Sequence, residues 1–204
     1  MDEESEYSNP SGPRAVPGIY TVKLMVDGKT QTQPLEVIMD PRSQATLEVL
    51  HQQLQLGQQI FAETREAQRA LAEIASLRKN LADLEQKVGE KDSAIKSVLV
   101  DAQADILKIE TRPGPTPGQT SGLKEAFADM ALALHVVEGG DRAVPSQAIA
   151  VYNETDQRVK AGIEEWNVFK TIKLRRLNQK LSEANLAPIA ISEIEQEVQF
   201  LMSR

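Results

Sequence analysis

Between Ile19 and Val26 the chain alternates: Tyr20, Val22, Leu24 and Val26 are separated by Thr21, Lys23 and Met25. A period of two marks a half-buried strand. Asp27-Gly28 follows, a dipeptide suited to the positive φ angles of a tight hairpin turn, and a second arm, Thr32 to Met39, alternates through Leu35, Val37 and Met39. Pro34 lacks an amide hydrogen, so the second arm is expected to be an edge strand or to begin near the proline. An isolated two-stranded ribbon is marginal in water. Either it lies on the elements that follow, or it adds its free edges to a sheet from another chain.

Asp40-Pro41-Arg42 ends that rhythm, and from Ser43 the apolar period lies between three and four. Leu47, Leu50, Leu54, Phe61, Ala67, Leu71, Ile74, Leu77, Leu81, Leu84 and Val88 form one stripe, weakly interrupted at Gly57 and stopped at Gly89. A helix from Ser43 to Val88 would be roughly 69 Å long. A second pattern, from Ile95 through Leu99 and Ile106 to Ile109, ends at the Pro/Gly-rich stretch from Arg112 to Gly118, which no helix crosses. A third runs from near Ser121 through Leu123, Phe127, Met130 and Leu134 to Val137, before Gly139-Gly140. The fourth begins behind Val144-Pro145-Ser146 and carries Tyr152, Thr155, Val159, Trp166, Phe169, Leu177 and Leu181, closing at Asn185-Leu186-Ala187-Pro188. The second and third helices laid end to end approach the length of the first and of the fourth. A rod with an interrupted middle segment therefore buries more of the stripes than a four-helix up-down bundle.

The expected fold is mainly α: an elongated antiparallel helical bundle of two long helices and two shorter ones, with an N-terminal β-hairpin. Its parts are a leader over 1–18 that is too polar to order itself, the hairpin over 19–40, the bundle over 43–188 with a linker at 112–120, and a short helix over 189–204 capped by Ser192.

Charge and composition narrow the function. Thirty acidic against 23 basic residues give a net charge of −7, too acidic for a dedicated nucleic-acid binder. The absence of cysteine removes disulfides, thiolate metal sites and thiol nucleophiles. No apolar run approaches the ~20 residues of a membrane span, and the acidic, polar opening MDEESEYSNPSGPR is unlike an export signal.

Candidate chemistry is sparse. His51 shares a helical surface with Glu48, but one pair makes no metal cage, and His135 sits near a helix end where a cation would complement the dipole. Glu164-Glu165 and Glu193-Glu195 read as exposed helix carboxylates. The Gly114–Gly118 stretch, stiffened by Pro115 and Pro117, reads as a linker and not as a phosphate loop; the sequon at Asn153 falls inside a helix. Lys170, Lys173, Arg175, Arg176 and Lys180 form a basic patch, read as a solvated face balanced by Glu85 and Glu90. Tyr152, Trp166 and Phe169 at helical spacing read as core. No catalytic residue, cofactor or metal ligand is expected.

Pro17-Gly18-Ile19-Tyr20-Thr21-Val22-Lys23-Leu24, Val26-Asp27-Gly28-Lys29, Gln33-Pro34-Leu35-Glu36-Val37 and Met39-Asp40-Pro41-Arg42, with the closing run from Leu177-Asn178 through Leu181, Ala184 and Leu186 to Pro188-Ile189, carry a resemblance. They are similar to the C-terminal region of bacterial sortilin-like, BNR-repeat β-propeller proteins of glycosyl-hydrolase-like type, where an immunoglobulin-like strand segment precedes a helical bundle. The resemblance spans 17–189 and contains no propeller, so a hydrolase label does not transfer. It implies a non-catalytic interaction module ancillary to a β-propeller protein, either a split piece or a small protein that docks on one. The alternative is an accessory part of a propeller glycosidase or peptidase whose catalytic domain lies elsewhere. Its implied setting is periplasmic or extracellular. The implied partner is a protein with a β-propeller or immunoglobulin-like domain, with a homo-oligomer as the competing assembly; nucleic acid and membrane are not expected as partners. Tyr20, Val22, Leu24, Leu35, Val37 and Met39 are the expected partner-binding residues.

Overall fold

In the computed structural model the described residues are 12–88, 92–112 and 122–191, with Ile194, Gln196 and Gln199 beyond them. Their elements are β1 (Gly18–Val26), β2 (Lys29–Val37), α1 (Leu47–Val88), α2 (Ser93–Glu110), α3 (Leu123–Val137), α4 (Ser146–Val168), a π-helical turn (Phe169–Lys173) and α5 (Leu174–Glu183). The chain is mainly helical with an N-terminal antiparallel hairpin, the class its apolar rhythm predicts.

The bounds of β2 and the start of α1 differ from expectation. The second strand starts at Lys29, because a two-residue turn leaves no spacer and pairing begins at once with Val26↔Lys29. It ends at Val37, so Met39 lies past the ladder. Helix α1 starts at Leu47 instead of Ser43. Asp40 to Ser43 are drawn into a turn by the Ser43 amide donating to the Asp40 carbonyl at 2.9 Å, and Thr46 caps the helix through its Oγ1, which accepts from the Val49 amide at 3.3 Å. Leu47 is consequently exposed.

The chain divides into two compact units. The first holds residues 1–62 and 131–152. Its core includes Leu50 and Ile60 of α1, Leu134 and Val137 of α3, and Tyr152 of α4. The Gln53 amide donates to the Gly140 carbonyl at 3.0 Å, and at Gly57 an added Cβ would lie 3.3 Å from Pro13, so the glycine admits the segment before β1 close to the helix. The Arg14 amide, in the last described part of the expected leader, donates to the Glu138 carboxylate at 2.8 Å; residues 1–11 lie outside the described set.

In the second unit, residues 63–130 and 153–204, three helical layers run side by side. Gln103 reaches Glu85 and Arg78 reaches Glu110, which sets α2 antiparallel to α1. Lys160 pairs with Glu63 and Lys170 with Glu73, so α4 and its continuation run parallel to α1. Against the π-helical turn that follows α4 lies α2, through Asp105–Lys173, and against α4 itself lies α3, through Asp129–Arg158. Gly162 of α4 gives Leu123 of α3 its seat; a Cβ there would meet the leucine side chain at 3.0 Å. Helices α2 and α3 thus share one layer in succession. Asp92 caps α2, its side chain accepting from the Ile95 amide at 3.1 Å. Asn185, with φ +57°, closes α5 in a left-handed cap in which the Leu186 amide donates to the Leu181 carbonyl at 2.8 Å.

The π-helical turn answers a spacing problem. Phe169 and Leu174 are both buried yet five residues apart, a step that would rotate them onto different faces of an α-helix. The Leu174 amide donates to the Phe169 carbonyl, and the wider turn returns Leu174, Leu177 and Leu181 to the face that Trp166 and Phe169 define. Exposed Ile172 occupies the surplus position. Deleting Ile172 is expected to convert the turn to α-helix with the core register kept, changing unfolding free energy by no more than about 1 kcal/mol in urea denaturation. A deletion inside α4 at Asn167 would instead displace Trp166 relative to Phe169 and is expected to cost several times more.

Candidate functional site

Asp27 and Gly28 have φ of +48° and +75°, the pair of left-handed residues that a type I′ turn requires, and such a turn matches the twist of the two strands it joins. The register continues as Leu24↔Gln31, Val22↔Gln33, Tyr20↔Leu35 and Gly18↔Val37. Tyr20, Val22, Leu24, Leu35 and Val37 therefore lie on one face of the ribbon. Of the six residues expected to bind a partner, Met39 alone falls outside the ladder. The opposite face carries Ile19, Thr21, Lys23 and Met25 with Thr30, Thr32, Pro34 and Glu36.

Apolar side chains on this ribbon stand in water. Ile19 is 81 % exposed, Met25 67 %, Leu24 59 % and Val22 51 %, while Tyr20 and Val37, at the root of the ribbon, are half-buried. The Tyr20 hydroxyl donates to the Val16 carbonyl at 2.6 Å and ties the start of β1 to the segment before it. Beneath the root lies a cleft of about 190 Å³ lined by Arg14, Val16, Val37, Met39, Gln53 and Glu138, among others. At its rim the Arg42 side chain and amide donate to Asp40, and these bonds hold the Asp40 carboxyl below the usual carboxylate range.

A second constellation, in the other unit, gathers around Glu73. This buried carboxylate accepts from the Trp166 indole N–H at 2.8 Å and from the Lys170 ammonium at 2.9 Å, and Lys170 also stands 5.7 Å from the centre of the Trp166 ring. Phe169 stacks on Trp166 at 5.6 Å. The cluster borders an open cleft of about 370 Å³. Nothing in the apolar periodicity signals Glu73, which interrupts a helical stripe with a charge; its partners become visible only when α4 is laid beside α1.

Other residues singled out from the sequence are not brought together. His51 and His135 are exposed, the former with Nδ1 2.7 Å from the Leu47 carbonyl. Among the described residues no group of three or more His, Asp or Glu could hold a metal ion, and no helix is long and apolar enough to cross a membrane. Glu164 is exposed and Glu165 pairs with Arg112 at 3.0 Å; Glu193 and Glu195 lie outside the described residues, as do residues 113–120 of the expected linker and the Ser192 cap. Two residues of the basic patch pair with acids other than the two expected. Lys170 pairs with Glu73 and Lys173 with Asp105, Glu85 accepts from Gln103, and Glu90 is outside the described set. Tyr152, Trp166 and Phe169 are core.

Comparison with protein-family models, with curated proteins and with solved structures finds no match.

Proposed function

We propose that this chain is a non-catalytic interaction module that docks on a partner's β-sheet through its hairpin, the helices serving as the scaffold that presents it. The supporting observation is the exposed apolar face of Val22 and Leu24, continuous with Tyr20, Leu35 and Val37, on a two-stranded ribbon. A ribbon of this size gains stability when a third strand or a second layer covers it, and burying Val22 and Leu24 contributes about 1.5–3 kcal/mol for each fully covered side chain. The partner in this reading is a protein bearing a β-propeller or immunoglobulin-like domain, in keeping with the resemblance of residues 17–42 to the segment that follows such propellers.

The test is capture of a purified sortilin-like propeller protein by the immobilised chain. Val22→Glu with Leu24→Glu is expected to weaken capture at least about tenfold, since each buried carboxylate costs more than one hydrogen bond's worth of affinity, and Thr32→Glu, on the opposite face and on the other strand, to change it far less. Helix content by circular dichroism should not move, because these side chains belong to no helical core. Equal capture by all variants, or none by the parent chain, removes the proposal.

A further inference from the structure

The two outer edges of the hairpin are not equivalent. In a ribbon closed by a two-residue turn, the pair flanking the turn, Val26↔Lys29, exchanges both backbone hydrogen bonds, and bonded and non-bonded pairs alternate from there. Leu24↔Gln31, Val22↔Gln33 and Tyr20↔Leu35 are bonded pairs. Met25↔Thr30, Lys23↔Thr32, Thr21↔Pro34 and Ile19↔Glu36 are the others, and their N–H and C=O groups point away from the partner strand. Pro34 thus sits where a missing N–H costs the hairpin nothing, which explains how a proline occupies the interior of β2. The same placement puts its ring on the outer edge of β2, where a donor is lost and the ring stands in the way of an approaching carbonyl. On the outer edge of β1, Ile19, Thr21, Lys23 and Met25 keep every donor and acceptor.

We infer that the strand a partner contributes pairs with the outer edge of β1, and that Pro34 closes the β2 edge to it. This rests on reading the hairpin as a docking element and adds which edge is used and what the partner must offer: an extended segment with alternating side chains. Its apolar positions continue the face of Val22 and Leu24. Its polar positions meet Thr21 and Lys23 on the other face, with an acid or hydroxyl opposite Lys23. Backbone hydrogen bonds supply affinity and the alternation supplies selectivity.

Lys23 and Thr32 are cross-strand neighbours in one non-bonded pair, so a proline at either removes an outward donor and no bond of the hairpin. The probe is a capped synthetic peptide, Gly-Ile-Tyr-Thr-Val-Lys-Leu-Met-Val, titrated into the full chain and followed by NMR and amide hydrogen exchange. Expected is slowed exchange at Ile19, Thr21, Lys23 and Met25, with peptide affinity about tenfold lower in Lys23→Pro and within about twofold of the parent in Thr32→Pro, the former figure corresponding to about one lost hydrogen bond. Slowed exchange at Thr30, Thr32 and Glu36, equal losses in the two proline variants, or no binding overturns the inference. Where a proline variant loses the Val22 and Leu24 cross-strand protection, the exchange pattern of the parent chain decides alone. Edge binding of the peptide without capture of a propeller protein would remove the proposed partner and leave the edge assignment standing; capture without edge protection would do the reverse.

Discussion

Truncating Trp166 to alanine is expected to lower the unfolding free energy of the second unit by about 3–5 kcal/mol, the range for deleting a large buried aromatic. Three contributions converge on this side chain. It is 1 % exposed, so nearly all of its apolar surface is lost to the core on substitution. It stacks on Phe169 at 5.6 Å, where the π-helical turn begins, and its indole N–H is a donor to the buried Glu73. Alanine leaves a cavity beside Phe169 and removes a hydrogen bond from a carboxylate with little access to water. Trp166→Phe keeps most of the area and can stack, so its loss should fall to about 1–2 kcal/mol, chiefly the missing N–H. Urea denaturation followed by circular dichroism separates the two variants. A loss below about 1 kcal/mol for alanine would mean that the tryptophan is not the keystone of this core.

How much of this arrangement could be read beforehand depends on whether a feature is periodic. The alternation at Tyr20, Val22 and Leu24, the Asp27-Gly28 turn and the switch of rhythm at Pro41 are local, and the hairpin and helices follow from them. The start of α1 is less legible because Ser43 and Thr46 can both cap, and a local turn at Asp40 to Ser43 decides in favour of Thr46. Ile60 is fully buried although the stripe through Leu54 and Phe61 passes it by, since those two are only half-buried. Over 42 residues a straight 3.6-residue helix drifts against any fixed spacing of apolar positions, so the buried line crosses from one set to the next. Leu174 escaped for a related reason: a five-residue step fits no α-helical template, and only a π-helical turn makes it core. The apolar face of the hairpin was visible in the alternation, but the inequality of its edges was not. Pro34 marks an edge strand at first sight; that it blocks the outer edge of β2 requires the register. Glu73 was invisible because its meaning lies in Trp166 and Lys170, some 93 and 97 residues away.

Glu73 carries the second large effect. Glu73 is 5 % exposed and its carboxylate is shared by two donors, and Glu73→Leu removes the acceptor of the Trp166 indole N–H and the anion beside Lys170 in one step. An expected loss of about 2–3 kcal/mol follows, below the 3–5 kcal/mol of a fully buried pair because the Lys170 side chain retains partial contact with water. Glu73→Gln keeps an oxygen for the indole and loses the charge, so it should cost about 1 kcal/mol. The pair can be isolated by a double-mutant cycle. Lys170→Met with Glu73→Leu replaces both charges by apolar side chains of similar reach, and removing a buried ion pair in this way is often nearly neutral. The double variant is therefore expected to lose about 1–2 kcal/mol less than the sum of the two single losses, the coupling found for residues sharing one network. Strict additivity would show that Glu73 answers to Trp166 alone. In that case Lys170 lies over the indole ring as a cation at 5.7 Å, and its distance to the carboxylate has no energetic weight.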